Sequence, residues 1–405
     1  MHRTNKLLII SQVYVPDPAA VGQYMADVAT AMVKRGWKVH VLTADRGYHN
    51  PKSKYLNHEN INGVQIKRLP LSSYGIDTFA LRMIAAMLFT IQSILRGLFL
   101  PGVSCILVST SPPICSFAAI VISYFRRIPI KYWVMDLNPD QLVALGFITE
   151  KSLSARLLNY LNRLILKRAK HIITLDHYMA ERLNLKLDIS NKLSIIPPWP
   201  LQAVIDEVGH NDNHFRKNNG LEDKFIIMYS GNHTFTNPVT TVLQAALTLQ
   251  EQKDLIFIFI GGGFNKHEVD NLIQNKKPSN ILSFPYQPLS EIKYSLSAAD
   301  IHLVSIGDDV VGIVHPSKIY GAMAVGRPIL LLGPEHSFAG TIIKDHQIGW
   351  YVKHGDIPGA ISAIEAIISS PAEKIHEMGQ RAKELTEKEF NMDHLLKRMC
   401  DVIES

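Results

Sequence analysis

The sequence predicts an α/β protein built from two parallel-sheet domains, and three observations predict it. Short apolar runs alternate with amphipathic stretches and turn glycines along nearly the whole chain. The alternation is interrupted at Pro197-Pro198-Trp199-Pro200, where three prolines in four residues can continue neither helix nor sheet. The flanking halves also differ in charge. Residues 1–200 carry 24 Lys and Arg against 11 Asp and Glu, a net +13, while residues 201–405 carry 18 against 25, a net −7. A chain of 405 residues exceeds the size at which a single core usually grows. The expected division is 1–197, 198–388, and a C-terminal helix over 389–405 that packs back across the boundary.

Each element is justified in turn. Residues 6–11 (KLLIIS) form an apolar, isoleucine-containing run and read as a buried first strand. The apolar part is too short for a signal peptide. A loop over 12–23 holds Pro16, Pro18 and Gly22, and a helix over 23–35 closes at Gly36. Residues 39–43 (VHVLT) follow as a strand, completing a βαβ unit whose ligands bind at the carboxyl ends of the strands. Gly22 stands where a backbone would approach a ligand, or is a plain turn glycine; the sequence leaves both open. Further strands are expected over 64–68, 105–109, 130–135, 171–175 and 193–196.

Residues 79–100 are apolar but contain Arg82 and Arg96, leaving an uncharged run of 13 residues between them, from Met83 to Leu95. That is shorter than the roughly 20 needed to span a bilayer, so a packed or interfacial helix is expected. The helix over 153–170 turns Leu153, Leu157, Leu161, Leu164 and Ile165 inward and leaves a basic outer face. The basic half as a whole suits an anionic partner such as a membrane or a lipid phosphate. Asp136 closes the strand over 130–135 and can face a cleft from there, while Asn138 and Asp140 read as turn and cap residues.

The second half repeats the alternation. Its strands over 225–230 and 255–260 end in Ser230-Gly231-Asn232 and Gly261-Gly262-Gly263, turns that can face phosphates. The stretch 310–333 is a polar loop, a helix of small residues, then Gly326-Arg327-Pro328 and a buried strand. Its Pro316-Ser317-Lys318 step places a hydroxyl, N–H groups and a cation at a helix start, which makes an anion site. Three cysteines, Cys105, Cys115 and Cys400, without metal-ligand spacing argue for a reducing compartment and no disulfide framework.

Met228-Tyr-Ser-Gly-Asn-His233, Phe259-Ile-Gly-Gly-Gly263, Pro285-Tyr-Gln-Pro288, Leu296-Ser-Ala-Ala-Asp300 and His315-Pro-Ser-Lys-Ile-Tyr-Gly-Ala-Met-Ala-Val-Gly-Arg-Pro328 resemble glycosyltransferase family 4. The nearest subgroup makes bacterial O-antigen, capsule and exopolysaccharide. The resemblance implies a GT-B fold, two Rossmann-like domains facing across a cleft, and retaining transfer without metal or cofactor. The donor implied is a nucleoside-diphosphate sugar. Carried over by motif, Ser230, Gly231, Asn232, Ser317 and Lys318 hold the diphosphate, and Pro285, Tyr286 and Gln287 line the base. Gly22, Gly262, Gly263, His315, Pro316 and Ile319 complete the donor site, and Asp136 and Lys318 are the catalytic candidates. Arg327 and Lys266 are secondary cations.

The sequence departs from the family where two glutamates are usual. Ile313 and Gly321 stand there, with Asp308 and Asp309 as nearby substitutes. The expected acceptor is lipid-linked or an oligosaccharide, not nucleic acid. The expected location is cytoplasmic, peripheral on the inner face of the plasma membrane. Two alternatives remain: a GT-B nucleotide-sugar epimerase, and a non-catalytic nucleotide-sugar-binding partner subunit.

Overall fold

The computed structural model describes residues 5–17, 19–47, 53–72, 79–201 and 207–405. It divides into two compact units, Met1–Pro197 with Asp393–Ser405, and Pro198–Met392.

Unit 1 begins β1 (Lys6–Ile10), α1 (Ala20–Lys34), β2 (Lys38–Ala44), β3 (His58–Ile61), β4 (Val64–Leu69) and α2 (Phe79–Phe99). It continues β5 (Cys105–Ser109), α3 (Cys115–Arg126), β6 (Ile130–Trp133), α4 (Asp140–Ala144), α5 (Leu153–Arg168), β7 (His171–Thr174), α6 (His177–Lys186) and β8 (Leu193–Ile195). The strand order is β3-β4-β2-β1-β5-β6-β7-β8, parallel except for the β3–β4 pair. β1 is central because both its faces are apolar, and Leu7 to Ile10 are fully buried. Right-handed crossovers fix the layers. The steps β4→β5, β5→β6 and β6→β7 all run one way along the sheet, which puts α2, α3 and α5 together on one face. The step β1→β2 runs the other way and puts α1 opposite. α2 packs on α3, and α3 on α5.

Unit 2 holds α7 (His214–Asn218), β9 (Phe225–Ser230), α8 (Thr240–Thr248), β10 (Leu255–Ile260), α9 (Lys266–Lys276), β11 (Ile281–Phe284) and α10 (Ile292–Ser297). Then come β12 (Ile301–Ser305), α11 (Lys318–Ala324), β13 (Ile329–Leu332), α12 (Phe338–His346), β14 (Gly349–Val352), α13 (Ile357–Ile368) and α14 (Ala372–Glu389). The all-parallel order is β11-β10-β9-β12-β13-β14, so the winding reverses between β9 and β12. Ile227, Tyr229, Phe257 and Phe259 point to one face, against α8 and α13. Met228, Ile258 and Ile260 point to the other.

The last helix, α15 (Met392–Glu404), belongs to unit 1. It buries Leu395, Met399 and Ile403. Cations gather at its C-terminal end, where the helix dipole is negative. Lys131 Nζ donates to Val402 O at 2.6 Å and to Ser405 Oγ at 2.9 Å, and Lys170 donates to Ser405 O. Arg35 pairs with Asp401 and Glu404, both at 2.7 Å.

Several elements differ from the sequence expectation. The edge strand β3, the short helices α4 and α7, the helix α12 and the strand β14 are additional. α1 starts at Ala20, not Gln23, which moves Gly22 into its first turn. In α5 the inward face is Ala155, Ile165 and Leu166, whereas Leu153 and Leu157 are 83% and 57% exposed.

Candidate active site

In a doubly wound sheet, ligands bind where the winding reverses, outside the carboxyl ends of the strands. In unit 1 that point lies between β1 and β5, and β6 follows beside it. Thr110, just past β5, accepts hydrogen bonds from the backbone N–H of Met135 and Asp136 at 3.2 and 3.1 Å. One strand end thus holds the next. The Asp136 carboxylate lines a cavity with Thr110, Pro113, Tyr132 and Asn138. Burial without a compensating cation pushes its pKa up to about 6. Asn138 and Asp140 are engaged locally: Asn138 O accepts from Asn162, and Asp140 pairs with Lys186.

Gly22 does not lie open to a ligand. It is buried, and a Cβ there would come within 3.1 Å of Tyr14 Cα and 3.2 Å of Val13 Cγ1. The close approach it serves is to its own loop.

In unit 2 the reversal brings the β9 loop against the start of α11. Gly231 has φ +138°, and a Cβ on it would meet Lys318 Cε at 2.6 Å. The lysine therefore reaches across the glycine. Its ammonium stands 5.2 Å from the Tyr229 ring centroid, a cation–π contact. Among the described residues no carboxylate pairs with it, and burial pulls its pKa down to about 8. Around it are buried polar atoms without hydrogen-bond partners: Asn232 Oδ1 and both ring nitrogens of His233. Buried polar atoms are ordinarily satisfied, so such a group beside an unpaired cation marks a place that takes a polar ligand. His233 is held neutral, its pKa lowered to about 4 by burial, then by Lys266 and Lys318.

The glycine turns have a different use from the one expected. Gly231 N–H already donates to Ile260 O, and Gly261 N–H to Phe284 O, both at 3.0 Å. A Cβ on Gly261 would sit 2.0 Å from Gly231 O, and one on Gly263 would sit 2.1 Å from Asn232 Oδ1. These glycines let adjacent strand ends mesh. Gly262 lies under the Tyr286 ring, where a Cβ would come within 2.9 Å of Tyr286 Cε2. Tyr286 is 49% exposed, and Gln287 Nε2 donates to Pro285 O at 3.0 Å.

The helix start is also less open than the sequence suggests. Ser317, Ile319 and Tyr320 N–H groups are taken by His315 O, Pro316 O and Ser317 O. The Ser317 hydroxyl caps nothing, so hydroxyl and ammonium are the groups offered. Ile319 is fully buried and cannot contact a ligand. Pro316 is buried as well. His315 turns inward: its Nε2 lies 2.8 Å from Tyr320 Oη and its ring 4.5 Å from that of Phe338. It braces the loop.

The secondary cations are committed elsewhere. Lys266 pairs with Asp270 at 2.7 Å and donates to Ser283. Arg327 pairs with Glu207 at 3.1 Å and donates to Ser297 O at 3.1 Å. Asp308 and Asp309 lie exposed on a short turn after β12. Ile313 is buried, and a Cβ on Gly321 would meet only Leu296 within 4 Å. Tyr229 and His233 were not singled out from sequence. The signal for Tyr229 was present, because a tyrosine one residue before a strand end reaches the ligand edge. Among the described residues no group of three His, Cys, Asp or Glu is arranged to hold a metal ion.

Two doubly wound, mainly parallel sheets, each with its winding reversal, define the class of two-domain Rossmann-like α/β proteins. Comparison with known proteins makes this specific. The family described as "Glycosyl transferases group 1" matches residues 211–385, and "Glycosyl transferase 4-like domain" matches residues 19–199. The chain belongs to these glycosyltransferases. It is 26% identical over 221 residues to "Probable glycosyltransferase WbjE" of Pseudomonas aeruginosa (54% of this chain, 55% of that protein). It is 25% identical over 215 residues to "Putative colanic acid biosynthesis glycosyl transferase WcaI" of Escherichia coli (52% of this chain, 53% of that protein). The chain spans about half the length of these two relatives in the matches.

Among solved structures, Anabaena Alr3699/HepE in complex with UDP and glucose has a TM-score of 0.75 at 12% identity, covering 99% of this chain and 100% of that one. WaaG, a glycosyltransferase involved in lipopolysaccharide biosynthesis, has a TM-score of 0.72 at 14% identity, covering 98% and 99%. The fold is GT-B.

Proposed function

We propose that the protein transfers a sugar from a nucleoside-diphosphate sugar to an acceptor in surface-polysaccharide synthesis. The observation that carries this is Lys318: a largely buried ammonium without a counter-ion, laid across Gly231 beside the unsatisfied Asn232 and His233 atoms. It is an anion site awaiting a diphosphate. A solved structure of the same fold bound to UDP-glucose supports the donor class.

The proposed chemistry breaks the bond between the sugar's anomeric carbon and the diphosphate oxygen, joins that carbon to an acceptor hydroxyl oxygen, and passes the hydroxyl proton to the departing diphosphate. Charge develops on the departing diphosphate, and the Lys318 ammonium is assigned to meet it. A well-placed donor at a developing charge contributes about 3–4 kcal/mol. Tyr286 and Gln287 are assigned to the base. Asp136, ionised above about pH 6, is assigned to a hydroxyl at the reacting sugar. The transfer is proposed to retain the anomeric configuration, the outcome that the resemblance to the family implies. The basic first unit favours a lipid-linked acceptor and a location at the inner face of the plasma membrane.

The test is a thermal-shift panel of nucleotides and nucleotide sugars on wild type and Lys318→Ala. A bound ligand at 100 times its Kd adds about 2.7 kcal/mol, which Lys318→Ala should lose for diphosphates. Equal shifts in both proteins reject the assignment. Ile313 and Gly321, neither acidic, favour one second reading, a subunit that binds the donor without using it. Incubation with donor and acceptor extract decides: donor bound but never consumed supports that reading.

A further inference from the structure

One helix of unit 1 is built the wrong way round for a surface in water. The inward residues of α2 are mainly small or polar: Ala85, Ala86, Thr90, Ser93 and Gly97, with Phe89 the one large side chain among them. Gly97 lets α3 come close, since a Cβ there would come within 2.3 Å of Ile122 Cδ1 on α3 and the isoleucine would have to shift. The outward residues are large and apolar. Ile84, Met87, Ile91, Leu95 and Phe99 are 50–82% exposed, at spacings of three and four, which makes one continuous stripe.

The stripe continues onto its neighbours. α3 adds Tyr124 and Phe125, each 70% exposed, and α5 adds Leu153, Leu157 and Tyr160. Arg126 Nη1 donates to Gly97 O at 2.7 Å, and Arg168 Nε to Ser123 Oγ at 3.0 Å, so the C-terminal ends of the three helices are tied together. An apolar patch of this extent marks an interaction surface. Its charge says what kind. Together α2, α3 and α5 contain seven Lys and Arg and no Asp or Glu.

We infer that the α2–α3–α5 face of unit 1 beds into an anionic lipid bilayer. Large apolar side chains enter the acyl boundary, and the arginines and lysines among them meet lipid phosphates. A shallow depression beside the α3 and α5 ends, lined by Tyr124, Phe125, Arg127 and Arg168, has the aromatic-plus-cation chemistry of the headgroup level. By length and composition Leu81–Phe99 could cross a membrane. However, its inner side is already packed on α3 and the sheet, so it lies in the interface plane. A second protein copy would be less well served, because two such faces would repel. The inference deepens the proposed inner-membrane location and rests on it only for the choice of a lipid partner.

The experiment is co-sedimentation of the full chain with vesicles of phosphatidylcholine containing 30% phosphatidylglycerol, and with phosphatidylcholine alone. Expected results are binding about tenfold stronger to the anionic vesicles, weakening in 0.5 M salt, and release by carbonate wash. Ile91→Glu with Leu95→Glu should lower partition by at least about tenfold. Leu56→Glu, at a side chain 70% exposed off this face, should leave it unchanged. Nucleotide thermal shifts in the same samples check folding and test the donor site separately. The inference is overturned by equal binding of wild type and the double variant, by carbonate-resistant insertion, or by a dimer in place of vesicle binding.

Discussion

At the winding reversal of unit 2 the unpaired group is an ammonium, Lys318. Beside that of unit 1 it is a carboxylate, Asp136. The two are mirror images in charge and alike in cause. Each is desolvated and each lacks a partner, so one pKa falls to about 8 and the other rises to about 6. Elsewhere the units handle buried charge conventionally: Arg216 is paired with Asp300 at 2.7 Å in unit 2, and Arg68 with Glu59 at 2.7 Å in unit 1. Those two arginines are neutralised by carboxylates, whereas Lys318 and Asp136 have no charged partner among the described residues, which makes them the groups to test for an arriving ligand.

The comparison can be broken most severely at Lys318. Lys318→Ala should lower kcat/KM by about 10²–10³ while the protein stays folded. Turnover near wild type would remove the lysine from the chemistry. Asp136→Asn should slow turnover by about 10–100-fold and leave the nucleotide thermal shift intact, since Asp136 is assigned to the reacting sugar and Lys318 to the diphosphate. A loss of nucleotide binding would contradict that division.

Next comes pH. Transfer needs Asp136 ionised and Lys318 protonated in the free enzyme, so kcat/KM should be bell-shaped with limbs near pH 6 and pH 8. The Asp136→Asn variant should lose the acid limb only.

The smallest effects are on stability, and their signs differ with pH. The folded pKa of Lys318 lies below its unfolded value, so charging it costs stability in full below about pH 8, and the cost fades as pH rises toward 10.5. Lys318→Met should therefore stabilise the ligand-free protein at pH 7 by on the order of 2 kcal/mol, with the gain shrinking in alkali. The folded pKa of Asp136 lies above its unfolded value. Its ionisation costs stability in full above about pH 6 and nothing below pH 3.8. Asp136→Asn should stabilise at pH 7 by a similar amount and lose the advantage near pH 4. Denaturant titrations at three pH values check both.

Much of this frame was legible in the chain. Fully apolar runs such as residues 255–260 (LIFIFI) announce central parallel strands. The strand β3, HENI, has one large apolar residue and no apolar run, so only its partner β4 reveals it. The Pro-Ser-Lys step gave the cation correctly, but not which neighbours face it. His315 and Ile319 adjoin Lys318 in sequence, yet a turn and a helix start send their side chains inward. α2 illegibly hides its orientation for a related reason. A helix apolar on all sides has no polar face to mark the outside, and only the small size of Ala85, Ala86 and Gly97 hints that a neighbour must come close. In α5 the cause differs: leucines at helical spacing pass as core, yet Leu153 and Leu157 stand exposed beside its basic residues.

The hold of Lys131, Lys170 and Arg35 on the end of α15 has a consequence for how the chain is made. Most of unit 1 leaves the ribosome before unit 2, but its final helix leaves after it. Between them lie the 195 residues Pro198–Met392, which take about 10–40 s to synthesise at ordinary rates. Through that interval the groove that receives Leu395, Met399 and Ile403 stands open on a nascent chain, and Lys131 faces it without its helix. A stop codon before Leu395 would thus injure unit 1, most of which is made before unit 2.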